Sequence, residues 1–349
     1  MLAVAVTAVV ELRAPFMPVA LLGGVTAIYS VSRLRHRWHF ARANLTIAVA
    51  NLSAILAWDL ARATPLQTVA RDAMWGGLNS ILAVSLAFVL LPIVEHWFGL
   101  TSDITLLELS DLNRPLLKRL QLEAPGTYHH SMVVGSLAEA AAEATGANSL
   151  LARVSAYYHD IGKLAKPEYY TENEPVASRS RHEKLAPSMS VLVVKSHVSE
   201  GLEMARREHL PRAVLAAIPE HHGTMVMAFF YHKALEHDAM AHREDFCYAG
   251  PRPRSKETAI LMLADGVEGA SRALAEPTPS RIRGLVTRIL DERVREGQLD
   301  ECGLTLSELA RIREAFIPVL TAIFHVRAPY PEDPRRRPKS DADLRREPA

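Results

Sequence analysis

The sequence predicts an all-α protein in which a short transmembrane helical region precedes a helical bundle. Three observations carry this. No stretch alternates apolar and polar residues with the period of a half-buried strand. From Tyr128 to the 320s, successive apolar-periodic segments open on Ser, Thr, Asn or Pro and several close on Gly. The overall hydrophobic content of 49% is uneven, with long apolar runs and few charges in the first hundred residues.

The N-terminal runs come first. Pro15 to Ser32 is long enough for a bilayer, which needs roughly 17–25 residues. Ala43 to Trp58 is shorter and carries two Asn. Ala73 to Trp97 is the strongest span, with aromatic residues at both ends, where membrane interfaces favour them. The run from Leu2 to Val10 is too short to cross. It fits a cleaved signal poorly, since no basic segment precedes it and further spans follow. Between the first two spans, Arg33 to Arg42 holds four arginines and no acid, which places that loop in the cytoplasm. The balanced loop Asp59 to Asp72 then lies outside, and about three spans return the chain to the cytosol after Trp97. The expected location is the cytoplasmic (inner) membrane, multi-pass, with membrane lipid as one partner.

The expected domains are a transmembrane region over 1–98, a linker with one amphipathic helix over 99–124, a helical domain over 125–328 and a disordered tail over 329–349. The linker helix ends at the Ala124-Pro125-Gly126 break. Further helices run to Gly146, from Asn148/Ser149 to Gly162, from Pro187, from Pro211 to Gly223, from Ser255, from Thr278 and from Thr305. Two long connections, Lys166 to Leu185 and His237 to Arg254, have the length of lids or binding loops.

Composition narrows the function. A net charge of +1 gives no electrostatic argument for a nucleic-acid polymer as partner. Two cysteines, Cys247 and Cys302, allow neither a disulfide framework nor a Cys-based zinc site.

The histidines and aspartates are more informative. TYHHS offers His129 and His130, YYHDIGK offers His159 and Asp160, KSHVS offers His197, PEHHGT offers His221 and His222, and MLADGVE offers Asp265. A lone histidine on a helix is usually a satisfied core or surface residue. Here local pairs recur in series, separated by whole helices that packing can bring to one point. Imidazole and carboxylate without thiolate suit iron, manganese, cobalt or zinc. Neighbours on a helix point about 100° apart, so His159 and Asp160 cannot serve one ion as equal ligands. A carboxylate can bridge two ions about 3.5–4 Å apart, which assigns that part to Asp160. Spacing alone leaves His129 and His130 equivalent.

At this point the sequence resembles the HD-domain metal-dependent phosphohydrolases. The segments LLELSDLNRPLLKRLQLEAPGTYHHS, YYHDIGKLAKPEYYTENE, EHHGTMVMAFFYHKALE and YAGPRPRSKETAILMLADGVEGA resemble the seven-transmembrane HD family over roughly residues 101–330 and the preceding span. The resemblance implies an HD phosphohydrolase bundle holding two divalent transition ions, iron or manganese foremost. It also implies hydrolysis of cyclic di-AMP to linear pApA by a metal-bridged hydroxide. It selects His130 over His129. One ion would be held by His130, His159, Asp160 and Asp265, the other by Asp160, His197, His221 and His222. Asp160 and Lys163 are the catalytic candidates. Lys163 is expected to hold a non-bridging phosphate oxygen, and His182 either touches substrate or merely precedes a helix. Of Tyr157, Tyr158, Tyr169 and Tyr170, most are core or rim, and one is a candidate to stack on adenine. His232, His237, His242 and His325 are bystanders. A homodimer is an admissible further assembly. Family members have an extracytoplasmic domain and seven spans, so relative to them this chain reads as N-terminally shortened.

Three alternatives compete with this reading. A cyclic di-GMP phosphodiesterase of the HD-GYP class would carry Gly-Tyr-Pro after its His-His pair, where this chain has HHGTMVMAFF. A (p)ppGpp or nucleotide hydrolase usually has fewer histidines and no membrane region. A catalytically inactive membrane adaptor should have lost ligands, and here none of the expected ones is missing.

Overall fold

The computed structural model describes residues 16–31, 37–174, 180–274 and 276–324. All regular elements among these are helical, apart from one isolated antiparallel bridge, Val226 to Cys247. The opening run 2–10 and the tail 329–349 lie outside the described residues.

The N-terminal region is α1 (Phe16–Val31), α2 (Arg37–Ala61) and α3 (Leu66–Phe98), with α2 packed against both others. Two helical stretches, Ala41–Ala61 and Leu66–Glu95, are long and apolar enough to cross a membrane. The apolar part of α1, Met17–Ser30, is shorter, and the ends of the first expected span, Pro15 and Ser32, lie outside the described residues. Two expected loops are largely helix instead. Arg37–Arg42 is the first turn and a half of α2, while 32–36 are outside the described residues. The segment 59–72 shrinks to a tight turn at Arg62–Pro65, where Ala63 takes a φ of 49° and Pro65 precedes α3. Charge marked these segments as aqueous, but arginine is a good helix former, so the helices run on past the apolar stretch. Small residues let the three helices approach. A Cβ on Gly23 would lie 2.2 Å from Asn51 Oδ1, and Asn51 Nδ2 donates to Ser80 Oγ at 2.9 Å.

At the end of α3, Gly99 takes a φ of 63° and closes the helix. The Glu95 carboxylate then accepts from Ser102 N at 3.0 Å and from Thr105 Oγ1 at 2.7 Å. The expected single linker helix is two: α4 (Asp103–Leu109) and α5 (Pro115–Glu123). Asp111 Oδ1 accepts from Asn113 N at 2.9 Å, an Asx turn, and Pro115 opens the next helix.

The remaining bundle is α6 (Pro125–Thr145), α7 (Ser149–Tyr158), α8 (Pro187–Arg207), α9 (Arg212–Glu220), α10 (Ala228–His237), α11 (Lys256–Ser271), α12 (Pro279–Arg295) and α13 (Leu306–Ile323). Short 3-10 turns fill the two long connections, and α10, inside AFFYHKALEH, has no counterpart in the sequence reading. The near-continuous apolar run Ala259–Ala264 makes α11 the central helix, every one of those residues fully buried. It packs with α6, α12 and α13 into one core. A second core gathers α4, α5, α8 and α9. Helix α7 serves both, Ala152 and Ala156 facing the first core and Leu150, Val154 and Tyr158 the second. The seam between the two cores is where the histidines meet.

Capping holds the frame. Thr305 Oγ1 accepts from Glu308 N at 3.2 Å and the Glu308 carboxylate accepts from Thr305 N at 2.9 Å, a reciprocal box at the start of α13. Thr305→Ala is expected to cost about 1 kcal/mol, read as a lowered unfolding midpoint in detergent; an unchanged midpoint would deny the cap its role.

Candidate metal centre

Each chemistry-bearing residue is delivered by a helix or a helix end. His130 lies on the second turn of α6 and is buried, whereas His129 on the neighbouring face is exposed. The α6 N-terminus is pressed against the Lys166–Asn173 segment so closely that a Cβ on Gly126 would lie 1.8 Å from the Glu172 carbonyl oxygen. Helix α7 stops at Tyr158, not at Gly162 as expected, and its end is pinned where Tyr158 Oη donates to Leu109 O at 2.9 Å. His159 caps α7, and Asp160 has left the helix at φ −111° and ψ 15°. The chain turns at Asp160 and the two side chains converge, His159 Nε2 lying 3.3 Å from Asp160 Oδ2, so both can face one ion, contrary to the expectation from helical rotation. Helix α9 ends at Glu220, His221 caps it, and Gly223 at φ 52° reverses the chain behind His222. Gln298 Oε1 accepts from Thr224 N at 3.0 Å and secures that reversal.

Ring orientations are set from behind. Nδ1 of His159 donates to Ala156 O at 2.7 Å, Nδ1 of His197 to Val194 O at 2.6 Å, and Nδ1 of His221 to Ala217 O at 3.1 Å. A carbonyl only accepts, so in each neutral ring the lone pair sits on Nε2. All three Nε2 atoms, and Asp160 Oδ1, are buried without a hydrogen-bond partner. Burial holds the His221 imidazole down to about 3 and lowers His197 and His222 as well. Burial alone would raise the Asp160 carboxyl, but Lys163 and His159 outweigh it and hold the group well below its usual range. Asp265 is likewise lowered, the His130 hydrogen bond overcoming burial. The buried imidazoles of His197, His221 and His222, neutral and facing ionised carboxylates, are part of the donor set a cation requires and are costly without one.

Asp160 divides the cluster. Its Oδ2 is 3.3 Å from His159 Nε2 and 3.7 Å from His130 Nε2. Its Oδ1 is 3.5 Å from His197 Nε2 and 3.7 Å from His221 Nε2. Two groups result, His130–His159–Asp160 and Asp160–His197–His221–His222, each with ligand atoms within 4.8 Å of one another. Asp265 joins through Oδ1, 3.0 Å from His130 Nε2 and 3.9 Å from His159 Nε2, with Oδ2 3.9 Å from His222 Nδ1. Ligands about 2.1 Å from a shared ion stand roughly 3.0–3.4 Å apart at right-angled to tetrahedral geometry. The observed separations run from 3.0 to 3.9 Å, from within that range to beyond it, and the donor set fits metal binding.

Lys163 is committed to carboxylates: Nζ lies 2.8 Å from Asp160 Oδ2 and 2.7 Å from Glu172 Oε1. His182, on the turn Arg181–Lys184, donates from Nε2 to Tyr169 O at 2.8 Å and sits against Tyr169 and Phe230, its Nδ1 buried without a partner. Of the four expected tyrosines, Tyr158 is core and Tyr170 meets His197 edge-on at 6.1 Å. The ring that stacks on the cluster is Tyr248, 4.1 Å from His222 at an interplanar angle of 22°. Sequence reasoning missed it, together with Glu172 and Glu268, since none belongs to a His or Asp pair. His237 and His242 line a separate cavity of about 640 Å³ between α8 and α10; His325 is outside the described residues.

Residues 127–270 match the family described as HD domain, and residues 1–102 the family described as 7TM receptor with intracellular HD hydrolase. The crystal structure of the L. monocytogenes phosphodiesterase PgpH HD domain in complex with cyclic-di-AMP aligns with a TM-score of 0.59 at 41% identity, over 62% of this chain and 100% of that one. The chain belongs to the seven-transmembrane HD family. The cyclic-di-AMP phosphodiesterase PgpH of Bacillus subtilis (strain 168) is 39% identical over 314 residues, and that of Listeria monocytogenes serotype 1/2a (strain 10403S) 36% over 318. The chain spans 44% of the length of each of these relatives. Family membership and the apolar helices α2 and α3 together make it a membrane protein.

Proposed function

We propose that the HD domain of this chain is a metal-dependent phosphodiesterase that hydrolyses cyclic di-AMP to linear pApA. The observation that carries the reading is the Asp160 carboxylate, one oxygen facing His130 and His159 and the other His197 and His221, amid buried imidazole nitrogens with no protein partner. The relatives named as cyclic-di-AMP phosphodiesterases support the substrate. His130, His159, Asp160 and Asp265 would hold one ion, and Asp160, His197, His221 and His222 the other; donor chemistry suits iron, manganese, cobalt or zinc, and the family resemblance puts iron or manganese first. Two such ions, when bound, supply an acidified water and a counter-charge for the phosphate oxygens.

The chain's own groups orient and select. Lys163 keeps the Asp160 carboxylate ionised and aimed, and the ammonium's third N–H remains for a non-bridging phosphate oxygen. His182 presents an acceptor, its unpartnered Nδ1, beside the Phe230 and Tyr169 rings. An acceptor there suits the exocyclic amine of adenine and opposes the carbonyl of guanine. Tyr248 fixes the plane of His222 by stacking. The arginines of 33–42 support a cytosolic HD domain by the positive-inside rule, and the exposed apolar residues of α1–α3, among them Val25, Ile28, Val49, Leu82 and Val89, support contact with acyl chains.

The test is direct. The full chain in detergent, loaded with manganese or iron, should convert cyclic di-AMP to pApA and act more slowly on cyclic di-GMP. No turnover at confirmed metal occupancy, as an inactive adaptor would give, or faster cleavage of cyclic di-GMP, would overturn the proposal.

A further inference from the structure

Helix α11 holds His130 by both ring nitrogens. Asp265 Oδ1 lies 3.0 Å from Nε2, and Glu268 Oε2 lies 2.5 Å from Nδ1. The two acids are three residues apart on α11, hence on one face of the helix. Arg272, one turn further along, donates to the other Glu268 oxygen, with Nε at 2.8 Å and Nη2 at 2.7 Å from Oε1. Glu268 is 4% exposed, so its bond to His130 is shielded from water, while Arg272 at the far end of the chain is exposed.

The other Nδ1-anchored rings are supported differently. His159, His197 and His221 each donate to a neutral backbone carbonyl of their own helix. Among those four imidazoles, His130 alone is backed by a carboxylate. A charged acceptor makes a stronger hydrogen bond than a neutral one and draws the Nδ1 proton further from the ring. The ring then carries more negative charge on Nε2 and is the better ligand. Arg272 keeps Glu268 from swinging away, which the lone i,i+3 relation to Asp265 would not do.

We propose that Glu268, held by Arg272, is a positioning residue that sets the affinity of the ion site formed by His130, His159 and Asp265. The site formed by His197, His221 and His222, whose anchored rings rest on backbone carbonyls, does not depend on it. The two ions are therefore bound unequally, and the Glu268-backed site is the one that can be weakened alone. This rests on the two-ion reading above.

The experiment uses the full chain in detergent, with Mn²⁺ as the probe. Equilibrium dialysis with elemental analysis gives the stoichiometry and affinity of each site for wild type, Glu268→Gln and Arg272→Gln. Wild type should take up two ions. Glu268→Gln, nearly isosteric, should keep one ion at wild-type affinity and weaken the other about 10- to 100-fold, the usual loss when such a backing group is removed. Arg272→Gln should act in the same direction and less. At low Mn²⁺ the variant's kcat should fall with KM unchanged, and excess Mn²⁺ should restore it, which a merely structural defect would not allow. Two wild-type sites in Glu268→Gln, equal weakening of both, or activity that excess Mn²⁺ does not restore would each overturn the proposal. Should Glu268→Gln not unfold cooperatively, Arg272→Gln decides in the same way: one weakened site supports the proposal, two unaltered sites overturn it. A wild type that binds no ion would instead defeat the two-ion reading itself.

Discussion

Replacing Asp160 with asparagine should abolish the binding of both ions, with turnover of cyclic di-AMP falling by at least about 100-fold, because even the loss of a group that only backs a ligand costs 10- to 100-fold. The expectation follows from how the carboxylate is shared. Oδ2 faces His159 and His130 at 3.3 and 3.7 Å, and Oδ1 faces His197 and His221 at 3.5 and 3.7 Å. An amide at that position removes the charge from both groups and turns an N–H donor toward one pair of imidazoles. Lys163, whose ammonium is fixed by Asp160 and Glu172, would lose one of its two anionic partners in a nearly closed site. Elemental analysis of the purified variant, beside a turnover assay, reads the result. If one ion stayed bound at wild-type affinity, Asp160 would belong to a single site and the bridging role would be wrong.

The second large effect is steric. A Cβ at Gly162 would lie 1.8 Å from the His197 carbonyl oxygen and 2.5 Å from Gly201 N. Both obstacles are backbone of α8, so no side-chain rotation relieves them. Gly201 meets the turn from the other side, and a Cβ there would stand 3.3 Å from Gly162 N. These two glycines let the Ile161–Ala165 turn lie directly on α8, which brings Asp160 to His197. Overpacking in a core usually costs about 1–3 kcal/mol, and with backbone on both sides Gly162→Ala should reach or exceed about 3 kcal/mol. Thermal unfolding in detergent should show a sharply lowered midpoint, and metal uptake should fall because Asp160 is pushed away from His197. Near-wild-type stability with both ions bound would mean that the turn and α8 are not in the contact described.

The sequence made the helix starts readable because capping is local chemistry. Asn148 accepts from Leu151 N, Ser255 from Thr258 N and Thr305 from Glu308 N, where a polar residue ahead of an apolar-periodic run predicted them. Gly146, at φ 75°, ends α6 for the same kind of reason. Where several local signals compete, the reading failed. In 99–124 one amphipathic pattern hides an Asx turn at Asp111, so two helices look like one in the sequence. In 59–72 charge suggests a loop, although it only tells which part of a helix meets water.

The site divides along the same line. Residue type and serial spacing named His130, His159, Asp160, His197, His221, His222 and Asp265 as candidates, and the fold brings all seven to the seam between two cores. The choice of His130 over His129 needed the family resemblance, and the structure shows its physical side: one faces α11 and the other solvent. Glu268 sits in plain sight three residues after Asp265, but nothing in the sequence says that its partner lies 138 residues earlier in the chain. Tyr248 and Gln298 reach the site from connections whose path no periodicity foretells.

The sequence by itself determined the helical class, the apolar N-terminal helices and the kinds of ligand available, because propensity, capping and donor chemistry belong to single residues and their near neighbours. Only the tertiary structure decided which oxygen of Asp160 faces which imidazoles, which histidine is backed by a carboxylate and where Lys163 is spent. Those depend on helices α6, α7, α8, α9 and α11 meeting at one seam, a result of packing between residues far apart in the chain.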